Sequence, residues 1–259
     1  MIITLTTDFG LTDPYVGIMK GVILDIAPAV QIVDITHEIP SYDIGEAAFL
    51  LDSAWRYFPA GTIHVVVVDP GVGSARRPIA MSVNGHVFVA PDNGVLSWVQ
   101  RGGSPRTYHI TNARWFKPFV SSTFHGRDVF APVAAHLALD GALDAVGPVI
   151  QNHHQLPLPE VRSLPGHRLK GTVLRIDRFG NVITNLQRKH LNGSFRIRTG
   201  TGEVRQVASN YAEGPSGEVF AIEGSTGYIE LSLNQGSAAE RFGLHRGSEI
   251  EVETGEANQ

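Results

Sequence analysis

Carboxylates, guanidinium groups and one imidazole recur where predicted strands give way to loops. Side chains of these types can orient and deprotonate a water molecule or grip a polar ligand. The densest stretch is residues 63–77, I-H-V-V-V-V-D-P-G-V-G-S-A-R-R. Val65 to Val68 are all β-branched with no polar alternation, the pattern of a strand buried on both faces of a parallel sheet. Asp69 stands at its carboxyl end, where open α/β sheets bind their ligands, and Pro70 stops the ladder. Gly71 and Gly73 let the backbone bend and approach another group closely. Arg76 and Arg77 are near enough in sequence to fold back on Asp69. An isolated D-P-G is most often only a turn, and this one gains weight from its company elsewhere. The loop has no G-K-[ST], and Arg76 takes the place of the third glycine of G-x-G-x-x-G, so it is not expected to cradle a nucleotide phosphate.

Asp8 likewise follows a short strand, residues 2–7, and has no capping duty. Asp13 is expected to cap a helix over residues 14–26, with Pro14 at its first position. In F-H-G-R-D, His125 and Arg127 precede the positive end of a helix entered at about Asp128, where an anion or a polarised water would be stabilised. His136 on that helix has no assigned role. Three polar clusters follow later: D-R-F-G-N (177–181), E-G-S-T-G-Y (223–228) and L-N-Q-G-S-A-A (233–239). Each could be a turn, but together they supply carboxylate, amide, hydroxyl and backbone groups suited to a polar small molecule.

The elements that must position these groups read as β-α-β-α-β at the start: strands at 2–7, 30–35 and from 63, helices at 14–26 and 45–57. Segments 78–82 and 86–90, joined through Asn84-Gly85, are expected as a hairpin. P-D-N-G (91–94) is expected to open a helix over 95–100, with a strand at 107–110 beyond it. Residues 150–166 carry three prolines and no apolar periodicity, as linkers do, and His153-His154 there are expected to be solvated rather than metal-bound. Short strands at 168–177, 182–186, 194–199, 204–208, 219–223, 228–233 and 249–253 suggest a small β-barrel or sandwich. The expected organisation is an α/β domain at 1–150, a linker at 151–166 and a β-barrel domain at 167–259.

Composition narrows the chemistry. The 259 residues are 42% hydrophobic and 18% charged, enough for one large core or two moderate ones. No run approaches the ~18 apolar residues of a membrane span, and M-I-I-T-L-T-T-D lacks the basic region of a signal peptide, so a cytoplasmic protein is expected. The absence of cysteine excludes thiolate nucleophiles and cysteine-bound metal, and no other metal set is read. A net charge of −4 without a basic block argues against nucleic acid as partner.

Taken in order, T-D-F-G-x-x-D-x-Y, D-P-G-V-G-S-x-R-R, P-D-N-G, F-H-G-R-D, D-R-F-G-N-x-x-T-N and S-T-G-Y resemble the S-adenosylmethionine hydroxide adenosyltransferases, relatives of the fluorinases and chlorinases, over essentially the whole chain. The resemblance implies an N-terminal α/β/α sandwich with a mainly parallel sheet, a C-terminal β-barrel, and a homotrimer whose sites lie at subunit interfaces. It implies hydrolysis of S-adenosyl-L-methionine to adenosine and L-methionine, the compound being substrate and not cofactor. Asp69, Arg76 and His125 then match the set that handles water, with the final proton acceptor left open among them. Asp8 would hold the ribose, Asp13, Asp177 and Ser225 the methionine ammonium and carboxylate, and Asn181 the adenine edge. Tyr42 would pack on the nucleoside, and backbone near Gln235 would complete the adenine contacts. One departure bears on the nucleophile: where the halogenases carry a serine after an aromatic residue, this chain has Gly126 after His125. A 5′-halogenase, a non-catalytic binder of the same ligand and a methyltransferase are the rival readings.

Overall fold

The valine run is buried on both faces, and its alternation divides two cores. Val65 and Val67 pack with Leu5, Met19 and Phe130, whereas Val66 and Val68 pack with Leu51, Trp55 and Phe88. A computed structural model describes residues 1–191 and 193–254 and separates two compact units, Met1–Leu158 and Pro159–Gln259. The first opens β1 (Ile2–Thr7), α1 (Tyr15–Ile26), β2 (Gln31–Thr36), α2 (Ile44–Ala54) and β3 (Ile63–Val67). There follow β4 (Pro78–Val83), β5 (His86–Pro91), β6 (Arg106–His109), α3 (Ala131–Asp140) and β7 (Val149–Ile150). The strand order is β2-β1-β3-β5-β4-β6-β7.

Pairings among β2, β1, β3 and β5 are parallel, while those of β4 with β5 and β6, and of β6 with β7, are antiparallel. The sheet is therefore more mixed than the expected mainly parallel one, because the Asn84-Gly85 hairpin reverses the chain, both residues at positive φ as its tight turn requires. Helices α1 and α3 cover one face and α2 the other. Chain connections diverge from β1 and β3 toward opposite edges, so the crevice outside their carboxyl ends is the topological switch point of the sheet.

Three expectations about local structure in the first unit's turns and linker fail. Helix α1 starts at Tyr15 with Pro14 as its cap and no side-chain cap hydrogen bond, so Asp13 does not cap it. P-D-N-G leads not into an α-helix but into turns and a 3₁₀ segment, Val99–Gly102. In the linker, His153 is half-buried and hydrogen-bonded to Gln100 at 3.0 Å rather than solvated.

The second unit contains β8 (Arg162–Leu164), β9 (Arg168–Ile176), β10 (Val182–Thr184), β11 (Phe195–Arg198), β12 (Glu203–Val204) and β13 (Val207–Ala208). It closes with β14 (Val219–Glu223), β15 (Ile229–Leu233), α4 (Ala238–Phe242) and β16 (Glu249–Thr254). These strands form a curled sheet ordered β12-β11-β16-β9-β10-β15-β14-β13, with β8 added on β9. The expected strand at 204–208 is split into β12 and β13, and α4 lies where the third polar cluster ends. Among the described residues no helix is long and apolar enough to cross a membrane.

β3 and β5 carry a buried imidazole pair, His64 and His86, with His64 Nε2 3.1 Å from His86 Nδ1 and His64 Nδ1 2.8 Å from the Thr4 hydroxyl. Burial, with His86 alongside, pushes His64 down to about 3. The unfolded chain takes up a proton at the ordinary histidine value that the folded chain refuses. Stability is therefore lost as pH falls from 6.5 toward 3. His64→Gln should make the loss of stability between pH 7 and 5 smaller by about 2 kcal/mol, as urea unfolding at the two pH values will measure.

Candidate active site

Asp69 leaves the sheet just past β3, and Asp8 leaves it just past β1, whose Thr7 pairs with Val67. The two carboxylates thus depart from adjacent strands about 4.8 Å apart, side by side at the switch point. Beyond Asp69 the loop is tightly turned: Val72 N–H bonds the Asp69 carbonyl, and both Ser74 N–H and its hydroxyl bond the Gly71 carbonyl. Gly73, at φ +75°, has no substitute here, since a Cβ would lie 2.2 Å from the Ser122 carbonyl oxygen. That contact seats the loop against the segment leading to His125.

The turn brings Arg76 back onto Asp69. Arg76 Nε donates to Oδ1 at 2.9 Å and Nη2 to Oδ2, with the side chains only 9% and 4% exposed. Nη2 also donates to His125 Nδ1 at 2.8 Å, and Nη1 is buried without a hydrogen-bond partner. Arg77, expected near Asp69 as well, turns the other way and pairs with Asp92.

A guanidinium has no lone pair, so the Arg76 contact requires His125 Nδ1 to be the acceptor and places the ring proton on Nε2. Burial and the Arg76 charge hold the His125 imidazole below its ordinary value, which keeps this neutral form at neutral pH. His125 precedes a π-turn, Gly126–Phe130, in which Ala131 N–H reaches back to the Gly126 carbonyl before α3 begins. Arg127, expected beside a place for an anion or a polarised water, clasps the buried Asp128 through Nε and Nη2 at 2.7 and 3.0 Å. Asp128 in turn accepts from Ser121 N–H at 2.9 Å and so fixes the loop ahead of His125. Its role was not read from the sequence, although F-H-G-R-D contains it.

Asp8, Asp13, Tyr42, Asp69 and His125 line one cavity of about 610 Å³, together with Phe9, Tyr15 and Phe124. Asp8 Oδ2 accepts from Tyr42 N–H at 2.9 Å, and Tyr42 holds a left-handed backbone at φ +68°. Left-handed residues other than glycine are uncommon and collect at ligand sites.

Asp177, Asn181, Ser225 and Gln235 line a second cavity of about 660 Å³, within the other unit. Asp177 accepts from Phe179 and Asn181 N–H through Oδ1 and from the Asn181 amide through Oδ2. Gln235 also sits at positive φ, +55°. Glu230, which the sequence reading passed over, is 8% exposed in this cavity and takes a 3.2 Å bond from the Tyr211 hydroxyl. Burial pushes its carboxyl up. A lone acid in the apolar run Y-I-E-L-S-L was the signal for it. The ten predicted residues therefore fall into two groups, six around Asp69 and four around Asp177. Among the described residues, no three His, Asp or Glu side chains are placed to hold a metal ion.

Residues 3–147 match the model of the SAM hydroxide adenosyltransferase N-terminal domain, and residues 171–251 that of the corresponding C-terminal domain. An (R)-S-adenosyl-L-methionine hydrolase of Thermus thermophilus is 37% identical over 95% of this chain and 97% of its own length. A fluorinase of Actinoplanes sp. is more distant, 27% identical over 97% of each. The crystal structure of an uncharacterized conserved protein from Thermotoga maritima superposes with a TM-score of 0.91 at 37% identity, covering 98% of this chain and all of that one. With both domain models matched in order, the chain belongs to the SAM hydroxide adenosyltransferase family.

Proposed function

We propose that this chain hydrolyses S-adenosyl-L-methionine to adenosine and L-methionine, through in-line attack of a water molecule on the 5′ carbon. The observation that carries this reading is the hydrogen-bonded Asp69–Arg76–His125 array beside a cavity at the switch point of the sheet. A sulfonium is an excellent leaving group, so the enzyme has only to orient water and take its proton as the C–O bond forms.

The array is suited to that task. Asp69 gives one lone pair on each oxygen to Arg76 and keeps others for the water, from which it takes the proton. His125 cannot take a proton at Nδ1 without losing Arg76, and its Nε2–H serves as a donor that orients the water oxygen. The developing charge lies beside the Arg76 guanidinium.

Asp8 keeps Oδ1 for the ribose hydroxyls, its Oδ2 being taken by Tyr42 N–H. Tyr42 packs on the nucleoside. Asp13, Asp177 and Ser225 take the methionine ammonium and carboxylate, and Asn181 with backbone near Gln235 takes the adenine edge. Asp177 and Asn181 are joined by a 2.9 Å hydrogen bond, so a ligand touching both folds its amino acid toward its base. The two units act as an α/β/α sandwich and a β-barrel in a homotrimer whose sites are shared between subunits, in agreement with the division of the ligand residues into two groups.

Gly126 disfavours a halide nucleophile. It offers no hydroxyl to a desolvated anion, and a Cβ there would already press on Met19 Sδ and the Phe124 ring at 3.1 Å. In ¹⁸O-labelled water, mass spectrometry should find adenosine labelled at its 5′ oxygen even in excess chloride or fluoride. A 5′-halo-nucleoside, S-adenosylhomocysteine or no product would each refute hydrolysis.

Asp69→Asn should lower kcat by roughly 10²- to 10⁴-fold with little change in KM, whereas Asp8→Ala should chiefly raise KM, as steady-state kinetics will resolve. At substrate concentrations well below the raised KM, mixing Asp8→Ala subunits with Asp177→Ala subunits should give more activity than either variant alone, because an oligomer with shared sites regenerates some intact ones. Failure to complement would count against sites shared across subunits.

A further inference from the structure

The P-D-N-G motif opens no α-helix, and none of the proposed ligand contacts uses it. Its side chains instead hold both ends of the loop that carries Asp69 and Arg76. At the entry, Asn93 Nδ2 donates to the Val68 carbonyl at 2.8 Å, one residue before Asp69, while Asn93 Oδ1 accepts from Val95 N–H. At the exit, Asp92 Oδ2 accepts from Arg77 Nε at 2.8 Å and Nη2 at 2.6 Å, one residue after Arg76, and Asp92 N–H bonds the Arg77 carbonyl at 2.8 Å.

This clamp is itself braced by the segment that leads out of the first unit. Asp92 Oδ1 accepts from His154 N–H at 2.6 Å, and Arg77 donates to the Asn152 side chain and carbonyl at 2.9 and 2.7 Å. Ser97 takes Leu156 N–H at 2.8 Å, and Leu156 packs so closely that a Cβ on Gly94 would fall 2.6 Å from it. The Asp92 side chain is 5% exposed, so its bonds are shielded from competing water.

We infer that Asp92 and Asn93 are positioning residues for the proposed hydrolysis. They fix the two ends of the Asp69–Arg76 loop and thereby the bond from Arg76 to His125. With Val68 and Arg77 held, both ends of the loop are tied to the P-D-N-G turn, which keeps Arg76 within hydrogen-bond reach of His125 Nδ1. The inference rests on the proposed function for its kinetic arm but not for its spectroscopic one.

The test uses the full chain labelled uniformly with ¹⁵N. In the wild type, the His125 ring should show a single tautomer, protonated on Nε2 and accepting at Nδ1. Asn93→Ala and Asp92→Asn should convert it to an exchanging mixture, with backbone signals of the two sheets unchanged. In turnover, each variant should lose about 10- to 100-fold in kcat at nearly constant KM, and the loss should vanish in an Arg76→Ala background, since both act through the same array. Arg77→Lys should retain more kcat than Arg77→Ala and gives a second variant should Asp92→Asn not fold. A fixed Nε2–H tautomer in folded variants, or a kcat loss that persists undiminished without Arg76, overturns the inference. If the wild type released no adenosine, the tautomer measurement would still decide the positioning claim and only the hydrolytic reading would fall.

Discussion

The bidentate pair of Arg76 and Asp69 is the interaction on which the rest of the site depends. Both side chains are almost fully buried, and removing one partner from such a pair typically costs about 3–5 kcal/mol because the other charge is stranded. The surrounding chain is shaped to make the pairing possible. Gly71 leaves room for the Arg76 stem, since a Cβ would sit 3.3 Å from its Cγ. Gly73 lets the loop touch Ser122, and Phe130 underlies the guanidinium at 5.2 Å. With the charge satisfied by Asp69, one Nη2 proton remains to fix the His125 tautomer. A carboxylate alone would set neither the direction nor the protonation state of that ring.

Much of this was legible in the chain. A run of β-branched residues ending in D-P-G identifies a doubly buried strand and its exit, because burial on both faces erases alternation and proline cannot continue a ladder. The first five elements and the hairpin follow from the same rules, as does the wealth of short strands after residue 160. What was hidden depended on choices between equivalent partners. Arg76 and Arg77 are alike in sequence, and only the fold shows that one pairs with Asp69 and the other with Asp92. Asp13 followed by Pro14 reads as a cap, yet the helix begins one residue later without it. Glu230 and Asp128 were missed because a buried acid looks exposed until its partners, Tyr211 in one case and Arg127 with Ser121 N–H in the other, are known.

The two cavities share a device. Each places one residue other than glycine in the left-handed region, Tyr42 in the first and Gln235 in the second. Each also gives part of a carboxylate to neighbouring backbone, Asp8 to Tyr42 N–H and Asp177 to Phe179 and Asn181 N–H. These bonds restrain the two acids, and in the proposed ligand contacts such restraint would lower the ordering cost of binding.

The π-turn between His125 and α3 has a consequence for how this sequence can vary. A π-turn is in effect one residue inserted into a helix, and successive residues of an α-helix are rotated by about 100°. Deleting any one residue from Gly126–Phe130 would let the turn relax into regular α-helix, so that His125 swings about a quarter-turn around the axis and faces away from Arg76. Substitutions that spare the hydrogen bonds of Asp128 would be judged by packing, whereas a single-codon deletion would disconnect the imidazole from the array. The length of this short segment, together with the hydrogen bonds of Asp128, keeps His125 in register with Arg76.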